Sequence, residues 1–105
     1  MLFNPVCEHC KHETEEIIKN IDKFEDIQII MATSMPFDSM MVFRERFQLA
    51  KYKNIIVARD QHFFLINYFL IHSLPVLAFY NKKQEFISVF EGTLAIPSIL
   101  NIFKD

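Results

Sequence analysis

The chain has 105 residues but only one glycine, Gly92, and four prolines. Glycine is what makes tight left-handed turns cheap, so this chain is poorly equipped for a turn-rich all-β fold. Disorder is equally disfavoured, because 51% of the residues are hydrophobic and twelve are Phe. One domain spanning residues 1–105, with a core dense in aromatic side chains, is the expectation.

The pattern along the chain is mixed. Leu2-Phe3 reads as the end of a strand whose upstream part is missing, and Asn4-Pro5-Val6 as a turn. An amphipathic helix is predicted over Glu8–Phe24, with Cys10, Thr14, Ile17, Ile18, Ile21 and Phe24 on the apolar stripe. Glu13, Glu15, Glu16, Lys19 and Lys23 are expected in water. Ile27–Ala32 has strand length and is rich in β-branched residues. A helix is predicted over Phe37–Ala50, burying Phe37, Met40, Met41 and Phe47. Asn54–Ala58 is a strand. Asp60 caps a third helix over Gln61–Ile71, apolar nearly all round and so expected to be buried, with Phe63, Phe64 and Phe69 in the core. Val76–Tyr80 and Glu85–Phe90 form a hairpin across Asn81-Lys82-Lys83-Gln84. Gly92 ends it, and Leu94–Phe103 is a last helix with Pro97 in its first turn. The order β-α-β-α-β-α-β-β-α predicts an α/β fold, a mixed central sheet flanked by helices.

Charge and cysteine content exclude several functions. Net charge is -2 with no basic stripe, so nucleic-acid binding lacks electrostatic support. Gln61–Asn81 carries no Asp, Glu, Lys or Arg, which nominally suffices to span a bilayer. However, Asn67, His72, Ser73 and Pro75 interrupt it, and a helix followed by a strand explains the run. Residues 1–6 show no targeting signal.

The two cysteines, Cys7 and Cys10, would close too small a loop to constrain the unfolded chain. Redox chemistry is the better reason for them. Disulfide exchange needs one thiolate to attack and a second thiol near enough to resolve the mixed disulfide. Two intervening residues at a helix start provide both. Cys7 would lie before the first turn with its sulfur accessible, and Cys10 inside it. The N–H groups of a helix N-terminus favour negative charge there. His9 adds to this when protonated, whereas Glu8 opposes it unless it turns outward. Three soft ligands, Cys7, Cys10 and His12, with His9 as a fourth, offer a metal-binding alternative. Positions on one turn converge poorly on a tetrahedron, and no metal site is expected.

Phe3-Asn4-Pro5-Val6-Cys7-Glu8-His9-Cys10-Lys11, together with Ile71-His72-Ser73-Leu74-Pro75-Val76-Leu77-Ala78-Phe79-Tyr80 and Phe90-Glu91-Gly92, resembles the thioredoxin-like superfamily. The resemblance covers nearly the whole chain. It points to the bacterial extracytoplasmic branch of thiol–disulfide oxidoreductases and redoxin-domain proteins, whose insertion the Phe37–Ala50 helix resembles. It implies a three-layer thioredoxin-like fold, with Cys7 as nucleophile and Cys10 as resolving thiol. It further implies a cis Pro75 beside Cys7, with Leu74 and Pro75 lining a groove for an extended substrate. The substrate would be a protein disulfide or dithiol, with a second redox protein as partner and no cofactor beyond the cysteine pair. A periplasmic or other extracytoplasmic location follows from the same resemblance, any membrane anchor lying in residues outside this chain.

The sequence departs from the family at Val6, where thioredoxins usually carry Trp, and at Glu8-His9, where they carry Gly-Pro. These departures leave the direction of electron flow open. The family's buried acid falls at Met1, where no acid is present. Other readings are a non-catalytic binding module, which keeps the Pro75 groove but has no activated thiol, and a peroxiredoxin-like peroxidase. The latter fails at Asn4, which stands where that family's Thr should be.

Overall fold

A computed structural model of the chain describes residues 1–69 and 72–104. Four helices and four strands follow in the order α1 (Glu8–Lys19), β1 (Ile29–Thr33), α2 (Phe37–Arg46), β2 (Ile55–Arg59), α3 (Phe64–Phe69), β3 (Val76–Tyr80), β4 (Phe86–Glu91) and α4 (Ile96–Ile102). Short 3-10 turns lie at Ile21–Phe24 and Leu49–Lys51.

β1 and β2 pair in parallel, and β3 and β4 pair antiparallel. Leu2 joins the two halves, bridging Ala32 in parallel and Val76 antiparallel. Its N–H donates to Val76 O at 2.8 Å, while Phe3 N–H donates to Ala32 O at 3.0 Å. The first three residues are thus the middle of one mixed sheet, in the order β2, β1, Met1–Phe3, β3, β4. Three consequences follow for position. Phe3, Thr33 and Arg59, the last residues of the three parallel segments, lie at one end of the sheet. β3 begins at that same end. The loop carrying Cys7 leaves from its middle.

The strand alternation divides the core into two clusters. Phe3, Met31, Leu77 and Phe79 point to one face, where they join Cys10 and Ile17 of α1, Phe43 of α2, and Ile96 and Ile99 of α4. Leu2, Ala32 and Val76 point to the other, where Leu65 and Phe69 of α3 pack against them. Phe3 and Phe43, both 2% exposed, hold their ring centroids 4.5 Å apart at the centre of the larger cluster. Burial of each such side chain is worth about 1.5–3 kcal/mol.

Several expectations are corrected. The first helix stops at Lys19 rather than Phe24. Asn20 Nδ2 bonds back to Glu16 O at 2.8 Å, offering the backbone a local alternative to another helical turn. The second helix stops at Arg46, because Gln48 adopts a left-handed conformation with φ 52°. Its Phe37 is 57% exposed, and Phe43 fills the buried position instead. α3 starts at Phe64, where Asp60 does cap it, accepting from the N–H groups of Phe64 and Leu65 at 2.9 Å each. None of the six residues of α3 is buried, and Phe63 and Phe64 face solvent at 52% and 68% exposure. Among the described residues, α3 packs on the sheet cluster through Leu65 and Phe69. The continuation expected through Ile71 lies outside the described residues. Among the described residues no helix is long and apolar enough to cross a membrane. The charge-free run is divided between α3 and β3.

Candidate functional site

Asn4 starts the turn that delivers the cysteines. Its Oδ1 accepts from Val6 N–H at 3.0 Å, and its carbonyl accepts from Cys7 N–H at 2.9 Å. Cys7 is then the N-cap of α1 in extended geometry, with φ -80° and ψ 120°. Its carbonyl accepts the first helical hydrogen bond, from Lys11 N–H at 3.0 Å. Its Sγ takes the place that a Ser or Asp oxygen fills in ordinary caps, accepting from Cys10 N–H at 3.2 Å. The capping geometry that starts the helix therefore also points an otherwise unsatisfied N–H at the Cys7 sulfur, where it stabilises negative charge.

Both cysteines are free thiols of different character. Cys7 is half-buried, and its S–H lies 3.8 Å from Leu74 O, a weak contact across a sequence separation of 67 residues. Cys10 is fully buried behind it. Burial first, with the hydrogen bond and charge of Cys7 adding to it, pushes the Cys10 thiol up to about 12, against a smaller lowering by backbone hydrogen bonds. The Leu74–Pro75 bond is cis, Pro75 is fully buried, and Leu74 is half-buried within reach of Cys7.

Glu8 and His9 are both exposed. Glu8 has turned away from the cysteines and pairs with Lys11 at 3.2 Å. Its side chain is 84% exposed. No hydrogen bond joins His9 to either sulfur among the described residues. His9 and His12 do not gather with the cysteines into a metal-like cluster, and no group of three or more such ligands converges among the described residues.

The residue that sequence reasoning misplaced is Glu13. Expected in water, it is 1% exposed, with Oε1 accepting from Leu94 N–H at 2.7 Å. Burial raises its carboxyl above the ordinary 4.5 and Glu16 adds to that, while the Leu94 N–H and His12 work the other way. Part of the signal was local, although the Leu94 N–H that holds the carboxylate was not. Positions 10, 13, 14 and 17 share one helical face, and Glu13 sits on the buried stripe one turn after Cys10. Thr14 beside it is buried too, its hydroxyl donating to Cys10 O at 2.8 Å.

No family model matches the sequence, and no curated protein does. Solved structures do match. A candidate thioredoxin from Neisseria meningitidis superposes with TM-score 0.77 at 18% identity, over 95% of this chain and 67% of that one. The fold is thioredoxin-like. StoA from Bacillus subtilis gives TM-score 0.70 at 16% identity, over 96% of this chain and 77% of StoA. The exposed lipoprotein thioredoxin Etrx1 from Streptococcus pneumoniae gives 0.58 at 18%, over 95% and 79%. In this thioredoxin-like frame the cysteine pair occupies the end of the sheet where the parallel segments terminate, the usual place for a site in an open α/β sheet.

Proposed function

We propose that the chain is a thiol–disulfide oxidoreductase that exchanges a Cys7–Cys10 dithiol/disulfide with a protein substrate. The observation that carries this reading is the asymmetry of the pair. One sulfur is accessible and hydrogen-bonded by a helix N–H, and the other is buried three residues behind it. The thioredoxin-like fold adds support.

In the reducing direction the Cys7 thiolate attacks one sulfur of a substrate disulfide. A Cys7–substrate disulfide forms, the substrate S–S bond breaks, and the departing sulfur takes up a proton. Cys10 then loses its proton and attacks Cys7 Sγ, forming the Cys7–Cys10 disulfide and releasing the second substrate thiol. Two electrons pass from the pair to the substrate, and oxidation is the reverse. The hydrogen bond and charge of Cys7 both hold Cys10 protonated in the free dithiol. Once Cys7 is bound to substrate as a neutral disulfide, those two influences are gone. Cys10 then becomes easier to ionise at the moment it is needed. Glu13, a buried carboxyl one turn away, is suited to take up that proton. Leu74 and Pro75 shape the groove beside Cys7, and the half-buried Leu74 backbone offers an extended peptide a pairing partner. Glu8 and His9 tune the site from its exposed rim. The cysteine pair needs no cofactor. A bacterial, extracytoplasmic setting, with a second redox protein to recycle the pair, fits the likeness to a protein described as an exposed lipoprotein.

The test is turnover of a protein disulfide with dithiothreitol as reductant. Wild type is expected to accelerate it, Cys7→Ser to abolish the effect, and Cys10→Ser to accumulate a mixed disulfide visible by mass. A Cys7→Ser protein as active as wild type would sink the proposal. Absence of turnover in wild type would favour the binding module.

A further inference from the structure

The stretch His72–Leu74 leads into Pro75 and β3, and it carries the Leu74 carbonyl that Cys7 faces. It lies in no helix or strand, so no ladder of backbone hydrogen bonds holds it in place. Among the described residues, its two ends are held by consecutive residues at the end of β4. Glu91 Oε1 accepts from His72 N–H at 2.9 Å, and Gly92 N–H donates to Pro75 O at 2.7 Å. Between these two bonds, the N–H groups of Ser73 and Leu74 donate to no group among the described residues, and Leu74 O meets only the Cys7 S–H at 3.8 Å.

The register of the hairpin puts Glu91 where it can do this. Glu91 pairs with Val76, so its side chain stands on the same face of the sheet as Val76, the face on which α3 packs. From there the long glutamate side chain reaches back past the start of β3 to His72. Glu91 is exposed, and an exposed carboxylate is ordinarily satisfied by water. Here it accepts a backbone N–H instead, a charge-assisted bond stronger than a neutral one. The chain then turns at Gly92, with φ 111°, and Leu94 N–H donates to Glu13 Oε1 on α1 at 2.7 Å. The turn Glu91–Leu94 is therefore bonded both to the groove segment and to the helix that carries Cys10.

We propose that Glu91 is a positioning residue of the exchange reaction, fixing the backbone of Ser73 and Leu74 before substrate arrives so that an extended peptide pairs with a preformed edge. This rests on the oxidoreductase reading of Cys7 and Cys10. A segment left to be ordered on binding subtracts its ordering entropy from the affinity. Glu91 bonds to neither sulfur and acts through the Leu74 backbone. Its effect therefore falls on substrates that bring a peptide backbone, and leaves the reactivity of Cys7 itself unchanged.

The experiment compares two oxidants of the fully reduced chain in single-turnover, acid-quenched mass spectrometry. One is a peptide dimer joined through the disulfide of a central cysteine. The other is hydroxyethyl disulfide, which has no peptide groups. Wild type is expected to react faster with the peptide. Glu91→Ala should lose about tenfold in the peptide rate constant, the worth of one charge-assisted hydrogen bond, and keep the rate with hydroxyethyl disulfide. Glu91→Gln retains a side-chain carbonyl of the same reach and should recover most of the peptide rate. Glu85→Ala, just before β4, should match wild type with both oxidants, and circular dichroism should show all three variants folded. A wild type without preference for the peptide, an unchanged peptide rate in Glu91→Ala, or equal losses with both oxidants overturns the assignment and leaves exchange at Cys7 standing. So does a Glu91→Gln protein as slow as Glu91→Ala. A wild type that reacts with neither oxidant overturns the oxidoreductase reading, and this one with it.

Discussion

The two thiols differ because the helix start gives each a different environment. Cys10 is held protonated by burial, with Cys7 adding to the effect, whereas Cys7 meets solvent and a helix N–H. Iodoacetamide at neutral pH is accordingly expected to label one sulfur of the reduced protein, with labelling lost in Cys7→Ser and kept in Cys10→Ser. Mass spectrometry of the alkylated proteins reads this directly. Cys10 also binds its proton more tightly folded than unfolded. The stability linked to it is intact below the ordinary thiol value of 9.0 and is lost as pH rises toward about 12. Urea midpoints of the reduced protein should fall between about pH 9 and about pH 11 more steeply than those of Cys10→Ala. Glu13 follows the same sign lower on the scale. Its carboxyl is raised above 4.5, so stability falls as pH climbs through the elevated value. Glu13→Gln keeps an acceptor for Leu94 N–H and removes the charge. It is expected to flatten that dependence, to be at least as stable as wild type at neutral pH, and to slow the release of substrate from the mixed disulfide. Rapid-quench kinetics separates that last effect from stability. Cys7, Cys10 and Pro75 were legible because each is defined by residue type and spacing. Glu13 was not read correctly, because a glutamate on an amphipathic helix is normally a solvent residue and only the Leu94 N–H gives it reason to be inside.

At the scale of elements, one glycine has to serve a chain with several sharp changes of direction. Gly92, with φ 111°, sits where the chain leaves β4. Gln48, Phe63 and Gln84 enter left-handed conformations without glycine's freedom, at φ 52°, 57° and 64°. A side chain in that region costs about 1–2 kcal/mol, offset against the roughly 0.5–1 kcal/mol of extra unfolded-chain entropy that glycine brings. Gln84→Gly in the β3–β4 turn should therefore raise stability slightly, by about 0.5 kcal/mol, in thermal or urea unfolding. That turn needs no glycine because Asn81 organises it, Oδ1 accepting from the N–H groups of Lys83 and Glu85. The core contact between α2 and the sheet works in the opposite sense. Phe43→Ala removes the ring that packs on Phe3 and on Phe47, at centroid distances of 4.5 and 4.7 Å, and should cost about 3–5 kcal/mol. Strand positions were readable to within two residues from β-branched runs. Helix ends were not, because Asn20 and Gln48 stop their helices by local hydrogen bonding and backbone conformation rather than by a change in hydrophobic period.

At the scale of the whole molecule, everything depends on the three residues in the middle of the sheet. Met1–Phe3 supplies the bridges to both halves, so removal of residues 1–3 should leave two separate strand pairs and abolish cooperative unfolding, as judged by near-ultraviolet circular dichroism through a urea series. Strand and helix alternation, the paired cysteines at a helix start and the Leu74–Pro75 segment are local properties. The sequence by itself therefore determined the α/β class and the residues on which a redox site would be built. Which apolar side chains end inside is decided by how much neighbouring structure is available to cover them. α3, apolar all round, was expected in the core, but none of its six described residues is buried, and among the described residues it reaches the Leu2, Ala32 and Val76 cluster through Leu65 and Phe69. β4 alternates no better than a buried strand would, yet five of its six residues are exposed, and among the described residues it pairs with β3 alone. Glu13 is buried by a backbone N–H from a residue 81 positions away. Contacts of that range carry no periodicity in the sequence, and only the tertiary structure decided them.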